Sequence, residues 1–519
     1  MKVSVNKGRC NFNEQTTILH AGLQDRQIIL AYFFGMAYFY RMISKTRVWT
    51  ILLLLALAVL IQPAVAYHTV DSTQSVLIGA VTLTGNDRTR DRIVLREMTL
   101  HPGDTVRLAD LPGRLAWDRR NISNTNLFIT VGIETSLTIP NDSRQLLRYD
   151  LTVVMKERWY LIAYPVFDLA DRNLNEWWYD RGRDLRRVIY GGRLSYRNIT
   201  GNNDKLQLAI ERGFLSRTVV SYAIPYVDRA QRIGLRADFG YQTNKEIPYR
   251  TQFDKWVYAK SENVLRQRVY ASLTATYRRG LYHYHSVDAR YNHNTISDTI
   301  AELNPDYFLN GQTQQHYTSM SYSYRYDRRD NAPYPLRGTV ATGSLGVSGM
   351  LPNDDLRFVE MSGSVTRFRP LGGRFYAAAN LYGRVTFPDR QPYFVLRGLG
   401  RGTDIVRGYE LFVIDGQRTG IWRNSLRYQL FDTVKQWNWI PVRQFSTVPI
   451  SAYLTAFADA GYVSSNVAAQ YQSNLANKAL FGTGLSLDLV TYYNMVFRLS
   501  GTINAQGKTG FFFNLAQEL

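Results

Sequence analysis

Two histidines, a doubled acid and three polar clusters are the residues of this sequence whose spacing invites chemistry. His283 and His285, in Tyr282-His283-Tyr284-His285-Ser286, fall on one face of a strand, because side chains two apart point the same way. No carboxylate accompanies them at ligand spacing and no Gly-x-Ser-x-Gly elbow accompanies them either, so a wall or loop role is expected rather than catalysis. Asp354-Asp355 sits beside Pro352-Asn353 and reads as a turn. The Gly-rich run from Gly398 to Gly408 lacks the Gly-Lys-Ser/Thr ending and the following helix of a phosphate loop. The remaining clusters suit ion pairing. Arg407 lies in the Gly-rich run, Asp459 lies in Phe457-Ala458-Asp459-Ala460-Gly461, and Asp327, Arg329 and Asp330 precede Pro335-Leu336-Arg337-Gly338. A guanidinium presents a planar fork that a carboxylate meets with two bonds, and lysine is a poor substitute. Polar anchoring is expected, with no enzyme activity, no metal and no cofactor.

The elements that must position these residues follow from composition and periodicity. The chain has 519 residues, including 36 Tyr, 24 Phe and 9 Trp, and is 45% hydrophobic and 20% charged. With a mean hydropathy of -0.26 it is too apolar for disorder and too polar for a bundle of membrane helices. Beyond the N-terminus no run of about 18 apolar residues occurs, which excludes a polytopic helical membrane protein. Lys45 and Arg47, the apolar stretch Trp49 to Ile61 and the small residues Ala64-Val65-Ala66 read as a signal peptide, so residues 1–66 are expected to be upstream sequence and leader. Cys10, the only cysteine, precedes the cleavage point, which leaves the mature chain no disulfide, Cys-based zinc site or Cys nucleophile. The formal charge is +20; the leader holds seven Lys/Arg and two acids, leaving +15. Such a charge raises nucleic acid or an anionic surface as partner. No nucleic-acid motif accompanies it, so nucleic acid is not expected, and the arginines are assigned to a wet lumen or to anionic lipid headgroups.

Residues 74–158 read as one small α+β domain. Val76 to Thr84 is strand-like and ends at Gly85-Asn86; Thr89 is placed to cap a helix reaching Met98, and Asp110 a second helix with the stripe Leu111, Leu115 and Ile122. Two strands follow, the second alternating Leu147, Tyr149, Leu151, Val153 and Met155 against Arg148, Asp150 and Thr152. The order strand, helix, helix, strand, strand, with Gly85-Asn86, Thr89, Arg96-Glu97 and Gly103-Asp104, resembles a POTRA domain. Residues 159–519 show almost no helical pattern, only segments of about ten residues alternating apolar and polar, the signature of a transmembrane barrel. Aromatic groups at strand ends, such as Trp177-Trp178-Tyr179, Trp437-Asn438-Trp439 and Tyr492-Tyr493, suit lipid–water interfaces. Strand starts near Trp159, Arg187, Lys205, Thr218, Arg232, Val264, Leu281, Gln315, Leu336, Phe358, Arg374, Gly420, Ile450, Leu480, Val496 and Thr509 predict a 16-stranded antiparallel β-barrel.

Three segments make the chain resemble the outer-membrane assembly and translocation superfamily of BamA, TamA and the two-partner secretion transporters. Val406-Arg407-Gly408-Tyr409 is similar to the core of that family's sixth outer loop, which folds back into the barrel. Phe457, Asp459 and Gly461 match its Phe-x-Asp-x-Gly strand, and Asp327, Arg329, Asp330, Pro335 and Gly338 match its junction motif. The resemblance implies that Arg407 pairs with Asp459, and that substrates are handled at a seam between first and last strands. Pro165, inside the first barrel strand, removes a ladder donor; it either marks a weak seam against Phe511 to Leu515, with Phe511 and Phe513 on the last strand, or merely begins the strand beyond its last paired residue. What the resemblance further implies is an outer-membrane assembly factor with its POTRA-like domain in the periplasm. Its partners would be unfolded outer-membrane protein clients and outer-membrane lipid, with accessory lipoproteins as further candidates. A two-partner-type secretion channel or a passive pore is the alternative.

Overall fold

The computed structural model describes residues 75–139, 146–170, 177–178, 182–401, 404–437, 446–491 and 495–517. The leader with Cys10, and Tyr179, Asn438, Trp439, Tyr492 and Tyr493, lie outside the described residues.

The N-terminal α+β unit comprises β1 (Ser75–Thr84), α1 (Asp91–Leu95), β2 (Thr105–Arg107), α2 (Leu111–Asn124), β3 (Phe128–Thr138) and β4 (Leu147–Glu157). Its sheet has the order β2-β1-β4-β3, with β1 and β4 parallel and Ile78 opposite Tyr149. The alternation of β4 turns Leu151, Val153 and Met155 onto the helices, where they meet Ile78, Ile93, Ile122 and Phe128 in one core. Burying each such side chain contributes about 1.5–3 kcal/mol.

Both predicted helix caps need correction. Helix α1 starts at Asp91 behind Arg90, without a side-chain cap bond. The Thr89 hydroxyl instead donates to Glu157 Oε1 at 2.5 Å and accepts from Asn198 Nδ2 at 2.9 Å, tying the domain to the large sheet. Asp110 precedes α2 with helical φ and ψ, again without a side-chain cap bond. The acid that organises α2 is the fully buried Asp118, which accepts from Thr99 N–H at 2.8 Å, the Thr99 hydroxyl at 2.7 Å and Leu100 N–H at 3.1 Å. Burial pushes its carboxyl above the ordinary value despite these donors.

The remaining strands are β5 (Leu161–Leu169), β6 (Val188–Arg197), β7 (Lys205–Gly213), β8 (Leu215–Ile224), β9 (Ile233–Asn244), β10 (Glu246–Gln252), β11 (Lys255–Lys260), β12 (Arg266–Arg279) and β13 (His283–Ile296). After helix α3 (Asp298–Leu303) come β14 (Gln314–Asp327), β15 (Gly338–Ser348), β16 (Phe358–Gly372), β17 (Phe375–Phe387), β18 (Arg418–Gln436), β19 (Thr447–Ser464), β20 (Ala479–Thr491), β21 (Met495–Asn504) and β22 (Thr509–Gln517). All except β10 and β11 form one 16-stranded antiparallel sheet in sequence order from β5 to β22. Those two end strands are its edges, and no pairing between them occurs among the described residues.

Every predicted strand start lies within three residues of an observed one, the widest gaps being Thr218 against Leu215 and Ile450 against Thr447. Two features were not expected: the β10–β11 hairpin, inserted between β9 and β12, and helix α3. Six residues give too little periodicity to register as a helix in sequence. Helix α3 is held by tertiary contacts: Ile300 and Ala301 join Ile247, Tyr307, Phe308, Tyr393, Leu396 and Tyr471 in a buried cluster drawn from four different connections at one end of the sheet.

Outward-facing positions carry apolar side chains such as Leu273, Met361, Leu381 and Leu485. Rings flank them, with Trp159, Tyr277 and Phe375 toward the short-turn end and Tyr190, Tyr241, Tyr291, Phe387 and Tyr462 toward the long-loop end. The α+β domain docks on the short turns. Glu97 and Arg278 form a buried two-bond ion pair beside Tyr226. Trp117 stacks edge-on to Tyr282 with ring centres 5.9 Å apart, and Arg92 reaches Asn202.

Candidate functional site: an anchored inward loop

The connection from β17 to β18 returns along the inner face of the sheet instead of extending from its rim. Leu399 and Ile414 exchange backbone bonds of 2.8 and 2.9 Å, closing the loop on itself. Its apolar residues Val406, Tyr409 and Ile414 pack with Ile421 and Val463. At the tip, Arg407 Nε donates to Asp459 Oδ2 at 2.7 Å, Nη2 donates to Oδ1, and the Arg407 backbone N–H adds a bond of 3.1 Å to Oδ2. The other guanidinium donors reach Ser425 Oγ and Asn424 O, each at 3.1 Å.

This geometry accounts for the residue types of both motifs. The Arg407 guanidinium lies over the Phe457 ring at 4.0 Å, so Phe457 supplies a cation–π platform while Asp459 supplies the charge. Asp459 is 4% exposed, which makes an uncompensated charge there expensive. A side chain at Gly461 would overlap Val406, and one at Gly482 would overlap the Arg407 carbonyl. Gly408 has a φ of +97° and its carbonyl accepts from Asn504 Nδ2 at 2.8 Å. The tip therefore touches β18, β19, β20 and β21 together. Gly482→Val is expected to expel the loop without altering any charge. The measurement is heat-modifiable migration of the purified protein in SDS gels together with trypsin cleavage at Arg407, which is protected in the parent and exposed in the variant.

The junction motif forms a second inward contact. Asp327, at the end of β14, receives Arg329 at 2.8 and 2.7 Å, and Asp330 Oδ1 accepts from the backbone N–H groups of Leu336 and Arg337 at 3.0 and 3.1 Å. These bonds shape residues 328–337 into a turn that ends at Gly338, where φ is +105°. The Pro335 carbonyl accepts from Arg427 Nη1 at 2.7 Å. Tyr334 reaches across to Asp488 at 2.8 Å, stacks on Tyr453 at 4.7 Å and lies under Arg427 at 4.5 Å. Asp488 is fully buried and also meets Arg498 at 2.8 and 3.0 Å. Sequence reasoning missed Tyr334, Arg427, Asp488 and Arg498. The available signal was an acid on the inward phase of β20, two after Ser486, in an otherwise uncharged strand.

Of the seam residues, Pro165 lies within β5 opposite Gly192, on an edge strand where its missing donor costs nothing to the ladder. Phe167 is 80% exposed, and Phe511 and Phe513 on β22 are also exposed. His283 and His285 sit on the outward face, their Nδ1 atoms 2.8 Å from the hydroxyls of Tyr324 and Tyr322. Asp354 accepts from Thr318 N–H and Leu351 N–H at 3.0 and 2.9 Å, as a turn acid does. No group of three or more potential metal ligands occurs among the described residues.

Comparison with known proteins assigns the family. The model of the Omp85 superfamily domain matches residues 198–515. No match was found among curated proteins. Among solved structures, BamA from Haemophilus ducreyi lacking POTRA domains 1-3 is 16% identical with a TM-score of 0.47, over 85% of this chain and 84% of that one. CdiB from Escherichia coli is 13% identical with a TM-score of 0.49, over 85% and 74%. CdiB from Acinetobacter baumannii is 15% identical with a TM-score of 0.45, over the same shares. The family match spans more than half of the chain and includes the inward loop, Asp459 and the 328–337 turn; the protein belongs to the Omp85 superfamily, and its 16-stranded sheet is an outer-membrane β-barrel.

Proposed function

We propose that this protein is an assembly factor that inserts or translocates β-barrel or other outer-membrane proteins. The family supports outer-membrane protein insertion or translocation in general, and the narrower reading rests on one observation: β5 and β22 are edges unpaired with one another among the described residues. A sheet edge accepts a strand of almost any sequence, because the ladder is made of backbone. The inward loop supports this reading over a passive pore, since it occupies the inner face of β18 to β21 with specific bonds.

In this proposal the α+β unit is a POTRA domain on the periplasmic side, reached by short turns as in other barrels of this class. Its clients are unfolded outer-membrane proteins. Depletion of the protein, followed by quantitative proteomics of the outer membrane, tests the reading. A general loss of barrels is expected. Loss of a single secreted protein would instead identify a dedicated secretion channel.

A further inference from the structure

The inner face carries a second polar cluster, away from the Arg407 anchor, that neither motif nor loop packing accounts for. Register places Arg268 beside Asn294 and Asn294 beside Gln315, three side chains in a row across β12, β13 and β14. Arg266 lies toward the long-loop end and Arg290, opposite Ser272, toward the middle. Asn294 and Gln315 are 0% exposed, yet neither amide has a hydrogen-bond partner at its oxygen or its nitrogen. The Nε atoms of Arg266, Arg268 and Arg290 are also buried without hydrogen-bond partners. A buried polar group left unsatisfied keeps its full desolvation penalty, so an array of them calls for something to bind.

Charge identifies what that is. The strongest electrostatic neighbours of Arg268 are Arg266, Tyr317, Arg290 and Arg397, the last from the inward loop, and no carboxylate is among them. Nearby acids are committed: Glu360 pairs with Arg384 at 2.7 Å, and Asp288 accepts from the Thr274 hydroxyl at 2.8 Å and lies 3.6 Å from Arg290 Nε. Aromatic rings hold the guanidiniums in place, with Arg268 and Arg290 over Tyr270 at 5.3 and 5.1 Å and Arg266 over Phe394 at 4.9 Å. Converging guanidinium forks with amide donors between them match a group with three acceptor oxygens and negative charge. We propose that Arg266, Arg268, Arg290 and Arg397, with Asn294 and Gln315, form a binding site for a phosphate group on the inner face of the barrel. The group arrives either as free phosphate or as the headgroup of an outer-membrane lipid.

The test uses the purified full chain in detergent. Inorganic phosphate is titrated against chloride at equal ionic strength with thermal unfolding as readout, and native mass spectrometry follows phosphorylated lipid retained through purification. A saturable rise in melting temperature with phosphate identifies the free anion, and retained lipid identifies the headgroup. In Arg268→Gln/Arg290→Gln the response is expected to weaken at least tenfold. Arg268→Lys keeps the charge, removes the fork and is expected to fold and bind several-fold more weakly, which separates loss of binding from loss of folding. Absence of both signals in the parent protein overturns the proposal, as does their persistence at full strength in folded variants.

Discussion

Arg407→Asp is expected to abolish client insertion, and adding Asp459→Arg to restore part of it. The single change places two carboxylates where one guanidinium met one carboxylate, on a wall where Asp459 is 4% exposed. Breaking a buried pair by removing one partner costs about 3–5 kcal/mol, because the remaining charge stays desolvated. Loss of the contact with the Phe457 ring adds about 0.5–2 kcal/mol. Together these exceed what the remaining bonds of a glycine-rich loop tip supply, so the loop leaves the wall. The exchanged pair recovers the charge complement but not the ring contact or the bonds to Ser425 and Asn424, which is why rescue stays partial. Growth of a depletion strain carrying each variant, with heat-modifiable migration as a folding control, checks the result. Equal failure of the single and exchanged variants would show that Arg407 acts through its other partners.

The second large effect concerns the edges. A disulfide between a cysteine at Ala163 or Phe167 on β5 and one at Phe511 or Phe513 on β22 is expected to stop client insertion and leave the protein folded. These positions share the outward face of the two edge strands. Cys10 is the only native cysteine, so after the expected removal of the leader the engineered pair has no competing thiol, and Cys10→Ser removes it from any unprocessed chain. Reduction with a membrane-permeant thiol should return activity within the same sample. Full activity of the oxidised protein would show that clients do not pass between β5 and β22, and would move the substrate path elsewhere on the molecule.

How far the sequence revealed this arrangement depended on the range of the signal. Strand starts were legible because period-two alternation is local, and all sixteen lie close to observed strands. The caps were not: Thr89 and Asp110 have the right chemistry at the right place, but tertiary partners claim the Thr89 hydroxyl and α2 begins without one. Helix α3 is too short to announce itself. Arg407 and Asp459 stood out through their motifs, whereas Tyr334 and Asp488, 154 residues apart, share no local pattern, and only the curvature of the sheet brings them together. Glu97 and Arg278, 181 residues apart, are hidden for the same reason.

The 328–337 turn has one more property. On one side Asn124 of the α+β domain receives the Ala332 N–H at 3.3 Å and Arg328 lies over Trp117 at 5.0 Å; on the other, Tyr334 and Pro335 are fastened to the walls that bear Asp488 and Arg427. Both ends of this segment are taken, so it works as a spacer of fixed length. Adding or removing one residue would detach the domain or the far wall, whereas among the described residues no long connection at the opposite rim also holds the α+β domain. Among related proteins, length should therefore vary at the rim and stay constant here, a pattern visible from segment lengths alone, without reference to which residues fill them.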